Sequence, residues 1–422
     1  MNYYVGIGSN LGDRKENIFQ AERLIENKLP CVIQKKSFTY ENPAMVPEGV
    51  KEGWHKPFLN KVISFSFDGE PLVLLRELKN IEKIMGRVPG ERWAPRIIDL
   101  DIILCEESSI VNQEIEIPHK GLKERSFVLA PLRDIIPNYE VDGKSVLSLN
   151  RRLENPIPAW MGIINVTEDS FSDGGTIRDE ESFLKQLNHF SQEGVQIIDV
   201  GAESTRPGAR AVEARDEWGI LKPFLKSYNE FKKTNKDGPM LSVDTRHSFV
   251  ASRAIEFGAS FINDVSALKD PEMISLLKDS DCQYIFMHSL STPADPQVVI
   301  PLEEDPVLSV SHWLEEKINF FEKNNIKSER LIFDPGIGFG KTPQQSLRLM
   351  KNMERFKTYP LRSLVGHSRK SFMKSFSGKE AIERDMESVG MSLVLSQKAV
   401  DIIRVHNPSV HMKAHRGWSH VL

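Results

Sequence analysis

Cysteine is scarce in this sequence of 422 residues. Cys31, Cys105 and Cys282 are odd in number and widely spaced, so they exclude a disulfide framework and a CxxC metal site. Such sparse cysteine is typical of a reducing compartment, and we expect a cytoplasmic protein. The opening residues lack the basic and apolar parts of an export signal, and no apolar run reaches membrane-spanning length, so neither export nor a membrane partner is expected.

A strong excess of either charge is also absent. The chain carries 55 Lys and Arg residues against 59 Asp and Glu residues, a formal net charge of -4. Proteins that bind nucleic acid or a membrane surface usually carry a basic excess, so neither is expected as the main partner. Hydrophobic residues at 40% and charged residues at 27% are ordinary for folded protein. The length exceeds that of one ordinary domain and predicts two.

The first part of the chain alternates strand and helix patterns. Apolar runs predict strands over residues 3–7, 62–67 and 97–104, and two helices are predicted to start after Asp13 and at Pro71. These elements indicate a small α+β domain. Turn-forming residues at 155–158 end the pattern, so we place one domain at 1–154 and another at 155–422.

Eight short apolar strands alternate with helical segments in the second domain. They cover residues 160–164, 196–200, 240–243, 261–265, 283–287, 331–333, 362–365 and 401–405. Eight such repeats predict a (β/α)8 TIM barrel, in which the carboxyl ends of the strands converge on one face. Polar residues accompany nearly every strand end, in the order Asn165, Asp199, Asp244, Asn263, His288, Asp334, Ser368 to Lys370, Arg404 and His406. The sequence therefore predicts one polar site at the mouth of the barrel.

Two carboxylates, Asp99 and Asp101, lie two residues apart in the segment RWAPRIIDLDIIL at 92–104. Because apolar residues alternate with them on a predicted strand, both should point to one face. Such a pair suits magnesium held against nucleotide phosphates, and Arg92 and Arg96 are placed to neutralise those phosphates. A solvated outer strand face with incidental ion pairs is the alternative that this segment alone leaves open.

The same segment resembles a signature of the 6-hydroxymethyl-7,8-dihydropterin pyrophosphokinases, RWGPRxxDLDIL, with Ala94 at the usual glycine. The blocks YVGIGSNLG at 4–12 and PH…RSFVLAPL at 118–132 resemble other parts of that family, in the same order. The resemblance covers roughly residues 2–150 and implies a small ferredoxin-like α+β fold. It implies that pyrophosphate passes from ATP to the hydroxyl of the pterin, with AMP leaving. The loop at 86–92, which contains Pro89, is shorter than in relatives.

The resemblance to the pyrophosphokinases also implies the residues of the first site. Asp99 and Asp101 are expected to bind Mg2+ and, with Arg92, to be catalytic. The expected ATP contacts are Glu82, Arg87, Arg92, Trp93, Arg96, His119 and Arg125. The expected pterin contacts are Asn42, Pro43, Phe58, Asn60 and Phe127.

Blocks that follow the barrel strands resemble dihydropteroate synthases in order and spacing. They are NVTEDSFSDGG at 165–175, DVGAESTRPG at 199–208, SVDT at 242–245, FDPGIGFGK at 333–341, GHSRKS at 366–371 and RVH at 404–406. The resemblance covers about residues 158–415 and implies that p-aminobenzoate displaces pyrophosphate from the pterin methylene, giving 7,8-dihydropteroate. The GFGKT segment also approaches a P-loop, but Pro335 stands where its first glycine is required, so no ATP site is expected there.

The edge of a pterin offers neighbouring N–H donors and a carbonyl acceptor, which require a buried carboxylate and a cation or amide. Asp334 with Asp244, and Lys370 with Asn263, provide these groups. Through the resemblance, the pterin contacts of the barrel are Asp199, Asp244, Asn263, Met287, Asp334 and Lys370, of which Asp199 and Lys370 are also catalytic. The expected pyrophosphate contacts are Asn165, Arg404 and His406, with Asn165 also binding Mg2+. The expected p-aminobenzoate contacts are Thr205, Arg206, Phe339 and Ser371.

Two alternatives remain open at this point. Pterin-binding methyltransferases share the barrel and much of the pterin pocket, although the segments SFSDGG and SRKS favour the synthase. The first domain is alternatively a non-catalytic partner of the barrel, although the presence of both Asp99 and Asp101 argues against this. By family expectation, two copies of the chain form a homodimer through the barrel.

Overall fold

The computed structural model of the chain describes residues 1–88, 90–91, 93–166, 177, 179–203, 211–295, 297–378 and 380–421. The chain forms two compact units. The first comprises Met1–Ile157 together with Arg416–Leu422, and the second comprises Pro158–His415. The grouping of the last residues with the first unit was not expected from the sequence.

The first unit is an α+β layer. Its strands are β1 (Asn2–Ser9), β2 (Ile33–Lys36), β3 (Tyr40–Asn42), β4 (Phe58–Ser66), β5 (Asp99–Cys105), β6 (Ile110–Val111), β7 (Glu116–Ile117), β8 (Glu140–Val141) and β9 (Lys144–Ser145). Its helices are α1 (Arg14–Lys28), α2 (Pro71–Ile84), α3 (Ser126–Ile135) and α4 (Val146–Asn150). Both predicted helix starts are confirmed, because Asp13 accepts a hydrogen bond from the Glu16 amide ahead of α1 and Pro71 occupies the first turn of α2.

The main sheet of this unit has the strand order β2-β4-β1-β5, and β3 pairs with β4. β1 is antiparallel to both β4 and β5. The succession β1-α1-β2-β4-α2-β5 in this order is a ferredoxin-like arrangement, which confirms the predicted fold. One face packs on α1 and α2 through residues such as Leu78 and Leu100, and the other packs on α3 and α4 through residues such as Leu129 and Ile103. β5 ends the order, so one side of its backbone faces away from β1.

The second unit is a closed barrel of eight parallel strands. The strands are β10 (Ala159–Asn165), β11 (Ile197–Gly201), β12 (Met240–Asp244), β13 (Ala259–Asp264), β14 (Gln283–Met287), β15 (Leu331–Asp334), β16 (Arg362–Gly366) and β17 (Ile402–Val405). The helices are α5 (Glu180–Glu193), α6 (Ala214–Thr234), α7 (Ser248–Glu256), α8 (Glu272–Asp279), α9 (Pro306–Lys323), α10 (Pro343–Lys351), α11 (Asp385–Gln397) and α12 (Pro408–Ser419). The predicted TIM barrel is confirmed, with strand ends that differ from the predicted ones by at most two residues.

The register between barrel strands brings the polar residues to one end. Asp244 lies beside Asn263, Met287 lies beside Asp334, and Gly366 lies beside Arg404. These positions are at the carboxyl ends of their strands, which is the face where TIM barrels carry their sites. Within the described part of the chain, no helix has both the length and the apolar character needed to cross a membrane.

Candidate functional site

The first site lies on the edge strand β5. Leu100 belongs to the core that faces α1 and α2, whereas Ile103 belongs to the core on the opposite face. Because side chains alternate along a strand, Asp99 and Asp101 share the face of Ile103. Both carboxylates are partly exposed and therefore accessible to a ligand.

Cationic side chains contact both carboxylates of the first site. The Nη1 atom of Arg87 lies 2.6 Å from Oδ1 of Asp99, and Nη1 of Arg96 lies 3.2 Å from its Oδ2. The Nζ atom of Lys79 lies 3.3 Å from Oδ1 of Asp101. Burial alone would lower the pKa of Lys79, but the neighbouring carboxylates raise it, so the ammonium is charged. The arrangement concentrates positive charge around an acidic pair, as a nucleotide phosphate site requires.

Glu82 lies beneath β5, where its side chain is 4% exposed. Its Oε1 atom accepts a hydrogen bond of 2.7 Å from the Leu100 amide and contacts Lys79 at 2.8 Å and Arg87 at 2.6 Å. Burial raises the pKa of Glu82, and the two cations oppose that rise. Glu82, which we predicted as an ATP contact, therefore holds the strand backbone between the two aspartates and the cations beside them.

Two residues of the YVGIGSNLG block position the site, and the sequence did not single them out. The buried Asn10 accepts a hydrogen bond of 2.7 Å from the Arg96 amide through its side chain, and its own amide donates to the Arg96 carbonyl at 3.2 Å. A Cβ atom on Gly8 would lie 2.9 Å from Oδ1 of Asn60 and 3.9 Å from Cβ of Asp99. Gly8 therefore lets the expected pterin contacts approach the carboxylate pair.

Two of the predicted pterin contacts of the first unit, Phe58 and Asn60, lie next to that glycine. Asn60 donates to the Oδ1 atom of Asn42, and Asn42 donates to the carbonyl of Pro43 at 2.9 Å. Cδ1 of Phe58 lies 3.6 Å from the position of a Gly8 Cβ atom. The amide and aromatic groups needed to bind a flat heterocycle are thus near Asp99.

Three further predicted contacts of the first site, His119, Arg125 and Phe127, lie on the segment after β7. Burial lowers the pKa of His119, with Asp101 opposing and Arg125 reinforcing that shift, so its ring is neutral near pH 7. Its Nδ1 atom accepts from the Gly121 amide at 3.1 Å, which leaves Nε2 as the donor. The guanidinium of Arg125 lies 5.7 Å from the ring centre of Phe127. Arg92 lies outside the described residues, and Trp93 is partly exposed in the turn that follows it.

The centre of the barrel mouth is an acid–arginine cluster. Arg404 lies 2.6 Å from Oδ2 of the fully buried Asp199 through Nε, and 3.0 Å from Oδ2 of Asp244 through Nη2. The amide of Asn263 donates to Asp199 at 2.9 Å. Burial, and next the charge of Asp199, raise the pKa of Asp244, although Arg404 opposes the rise. The cluster therefore places a buried carboxylate, on which a proton or a hydrogen-bond donor is favoured, at the barrel mouth.

Asp334 and Lys370 form the second charged group of the barrel mouth. Burial raises the pKa of Asp334, and Lys370 opposes that rise most strongly. The carboxylate accepts a hydrogen bond of 2.7 Å from the Gly336 amide. Burial lowers the pKa of Lys370 to about 8, and its Nζ atom donates to the Ile337 carbonyl at 2.5 Å and lies 4.4 Å from the ring centre of Phe339. These contacts place the ammonium of Lys370 beside Phe339, an expected p-aminobenzoate contact.

The segment before Lys370 is held by α11. Arg369 has a φ of 59°, in the left-handed region that disfavours a side chain. Its guanidinium makes two hydrogen bonds to Asp385, at 2.6 and 2.8 Å, and its amide donates to Ser388 at 3.1 Å. Arg384 donates to the Arg369 carbonyl at 2.8 Å. These contacts fix an otherwise unfavourable backbone conformation next to the site.

A buried lysine and histidine lie behind Phe339, and sequence analysis gave them no joint role. Nζ of Lys341 lies 2.8 Å from Nδ1 of His288 and donates to the Phe339 carbonyl at 2.8 Å. Burial lowers the pKa of His288 to about 3 and lowers the pKa of Lys341 well below its usual value. The neutral ring nitrogen therefore acts as an acceptor that holds the 336–341 loop.

Three other predicted residues of the barrel site, Asn165, His406 and Ser371, lie on β10 and on the segments that follow β17 and β16. Asn165 is the last residue of β10, and Nδ1 of His406 lies 3.1 Å from Oγ of Ser368. Ser371 is exposed at the start of a short 3₁₀ helix, Ser371–Ser375. The predicted p-aminobenzoate contacts Thr205 and Arg206 lie outside the described residues.

Two family models match the chain. The model of pterin binding enzymes matches residues 161–406, and the model of 7,8-dihydro-6-hydroxymethylpterin-pyrophosphokinase matches residues 4–137. A folate synthesis bifunctional protein of Chlamydia muridarum is 35% identical over 425 residues, which cover 95% of this chain and 94% of that relative.

Solved structures resemble the barrel. A dihydropteroate synthase of Xanthomonas albilineans with 4-aminobenzoic acid is 33% identical with a TM-score of 0.56, and the match covers 63% of this chain and 93% of the other. A dihydropteroate synthase of Anaplasma phagocytophilum with bound 6-hydroxymethylpterin-monophosphate is 29% identical with a TM-score of 0.56, covering 63% of this chain and 98% of the other.

Proposed function

Because the chain belongs to the pterin binding enzymes and, over nearly its whole length, to the bifunctional folate-synthesis proteins, we propose that the residues described above catalyse two consecutive transfers. The chain transfers pyrophosphate from ATP to 6-hydroxymethyl-7,8-dihydropterin and then joins the product to p-aminobenzoate. The observation that carries the proposal is the presence of both matched regions on one chain, each with its own cluster of charged groups.

In the first site, the protein promotes the reaction by binding ATP and the pterin and aligning the pterin hydroxyl with the β-phosphorus. Arg87 and Arg96 bind phosphate oxygens of ATP, and His119 donates a hydrogen bond from Nε2. The hydroxyl oxygen of the pterin attacks the β-phosphorus and loses its proton to water, the bond from that phosphorus to the AMP oxygen breaks, and AMP leaves. Such transfers depend mainly on alignment and charge neutralisation, so no covalent intermediate on the protein is needed. Asn42 and Asn60 hold the pterin so that its hydroxyl faces ATP.

Magnesium fits the first site by its chemistry. Among the described residues, no three or more His, Cys, Asp or Glu side chains are grouped to hold a metal ion, so Asp99 and Asp101 form only part of an oxygen shell. Magnesium is commonly held by one or two carboxylates and completed by water and substrate phosphates. Bound there, it would neutralise charge on the transferred group. In the barrel, the side-chain oxygen of Asn165 would hold a magnesium ion that accompanies pyrophosphate.

In the barrel, the pterin binds between the two charged groups. Asp334 accepts hydrogen bonds from neighbouring N–H groups of the pterin, and Lys370 and Asn263 donate to its acceptors. The amine of p-aminobenzoate attacks the pterin methylene, the carbon–oxygen bond to pyrophosphate breaks, and the nitrogen loses a proton to water. Arg404 and His406 stabilise the departing pyrophosphate, while Asp199 stabilises positive charge that develops on the pterin. Phe339 and Ser371, with Thr205 and Arg206, hold p-aminobenzoate.

The decisive experiment supplies hydroxymethyl-dihydropterin, ATP, magnesium and labelled p-aminobenzoate to the purified chain. AMP, pyrophosphate and labelled dihydropteroate should appear together in equal amounts. Product formed only from preformed pterin pyrophosphate would make the first unit a non-catalytic partner. AMP without dihydropteroate would reject the synthase assignment of the barrel. A cytoplasmic location and a homodimer through the barrel stay predictions.

A further inference from the structure

The ammonium of Lys79 has an acceptor for each of its three protons. Its Nζ atom lies 2.8 Å from Oε1 of Glu82, 2.8 Å from the Leu100 carbonyl oxygen and 3.3 Å from Oδ1 of Asp101. An ammonium has three donors and no acceptor, so this set satisfies it. Lys79 is therefore fixed in place beside one carboxylate of the metal-binding pair.

Lys79 reaches Asp101 around the edge of the sheet. Lys79 belongs to α2, which packs on the face of the sheet that contains Leu100, whereas Asp101 points to the opposite face. The contact is possible because β5 is the last strand in the order β2-β4-β1-β5. No interior strand would let a helix on one face neutralise a carboxylate on the other. The position of Lys79 is thus a specific consequence of this topology.

Each aspartate of the first site has its own cationic partners. Arg87 and Arg96 contact Asp99, and Lys79 contacts Asp101. The Asp101 carboxylate, an expected magnesium ligand, therefore already has the ammonium of Lys79 at a distance of 3.3 Å. A second cation brought to the same carboxylate is repelled by the first.

We propose that Lys79 is an internal competitor of magnesium at Asp101. The proposal rests on the assignment of Asp99 and Asp101 as the metal ligands of the first site. Lys79 neutralises Asp101 in the nucleotide-free enzyme and weakens the affinity of the bare carboxylate pair for a divalent cation. The negative charge of the ATP phosphates offsets this repulsion. Metal therefore enters the site together with ATP rather than before it, and Lys79 sets that order.

The test measures binding of Mn2+, as a substitute for Mg2+, to the nucleotide-free full chain by the electron paramagnetic resonance of free Mn2+. Lys79→Gln removes the charge and retains a donor for Glu82 and the Leu100 carbonyl. We expect it to bind Mn2+ about tenfold more tightly than the unmodified chain. With a non-hydrolysable ATP analogue present, the difference should be much smaller. Lys83→Gln removes an exposed charge from the same helix and is the matched control, which should bind Mn2+ like the unmodified chain.

Other results of the Mn2+ measurement would contradict the proposed competition between Lys79 and the metal ion. Unchanged Mn2+ affinity in Lys79→Gln, with pterin binding to the first site intact, would overturn the competition. Weaker binding of the ATP analogue together with unchanged Mn2+ affinity would make Lys79 a phosphate ligand instead.

Lys79→Arg keeps the charge and should leave Mn2+ affinity low, which separates the effect of charge from the effect of lost packing. Asp101→Asn should lose the tight Mn2+ binding of Lys79→Gln when the two changes are combined. Retained binding would reject the metal site itself rather than the role of Lys79.

Discussion

A substitution at Asp99 should affect only the first of the two reactions, because Asp99 lies in the first compact unit and the barrel site lies in the second. Asp99→Asn removes charge from the proposed metal pair and should lower the rate of AMP formation by about a hundredfold or more. The synthase reaction on preformed pterin pyrophosphate should be unchanged. Both rates can be followed by chromatography of the nucleotides and of labelled dihydropteroate. Asp68→Asn, an exposed change in the same unit, is the control, and normal AMP formation in Asp99→Asn would contradict the assignment.

Asp334 permits a nearly isosteric test of the pterin pocket. Asp334→Asn keeps an oxygen for the Gly336 amide but loses the charged acceptor for the pterin N–H groups. The free energy of pterin binding should weaken by about 1–3 kcal/mol. Isothermal calorimetry with the pterin checks this, and the exposed change Asp281→Asn serves as control. Equal pterin affinities in both variants would remove Asp334 from the pocket.

Lys370 gives the synthase reaction a pH dependence with a defined direction. Burial lowers its pKa to about 8, so the ammonium is present below that pH and is lost as the pH rises through about 8. The kcat/KM of the synthase, which reports groups of the free enzyme, should therefore fall on the alkaline side with a midpoint near pH 8. In Lys370→Arg the guanidinium stays charged, and the alkaline fall should disappear. The same midpoint in both enzymes would show that another group titrates.

At the scale of elements, α11 and α12 are joined by a buried serine–histidine network. Ser392 lies 2.7 Å from Nδ1 of His411 and 3.2 Å from Nε2 of His367, and Ser396 lies 2.8 Å from Nε2 of His415. Burial lowers the pKa of His367 to about 4, of His411 to about 3 and of His415 to about 4. All three are neutral in the folded barrel at neutral pH.

This network makes the barrel acid-labile. Below pH 6.5 the unfolded chain binds protons at these histidines that the folded chain does not, so the free energy of unfolding falls as the pH drops from about 6.5 to about 4. The stabilising contribution is fully present above pH 6.5. The urea midpoint of the barrel should be lower at pH 5 than at pH 7. His415→Gln removes one titrating group and should reduce that difference, whereas an equal difference would assign the acid lability elsewhere.

Local periodicity was sufficient to predict the barrel strands and the main helices, because each buried strand is a short apolar run. β2 (Ile33–Lys36) escaped prediction because its residues are mostly polar and exposed. The ribbons β6–β7 and β8–β9 are two residues per strand, too short for any period. Short edge pairs form through long-range contacts and turns, which leave little trace in the order of apolar and polar residues.

Some site residues could likewise be predicted from the sequence, and others could not. Motif residues such as Asp99 and Asp334 could be named from the sequence because their chemistry is local to a strand end. Lys79 and Asn10 could not, because their roles depend on which strand is at the edge and which turn lies beside β5. The pairing of Arg404 with both Asp199 and Asp244 likewise required the closed barrel, since these residues are far apart in sequence.

At the scale of the whole molecule, the division into two compact units predicts separable folding. A protein of residues 155–422 should fold and make dihydropteroate from preformed pterin pyrophosphate, without forming AMP from ATP. Each unit has its own hydrophobic core, which is the usual condition for independent folding. Circular dichroism with a cooperative thermal transition, and the synthase assay, check the two parts. An aggregated product would show that residues 1–154 are needed for a stable barrel.

The hydrogen bonds of Glu82 and Lys79 with the Leu100 backbone also affect whether separate copies of this protein associate through the edge of β5. An unpaired strand edge offers free amides and carbonyls to the strands of other molecules and is a common starting point of aggregation. Here the Leu100 amide donates to Glu82 and its carbonyl accepts from Lys79. An incoming strand would have to displace two helix side chains before it could pair at that residue. The two side chains that organise the first site therefore also protect the concentrated protein against edge-to-edge association.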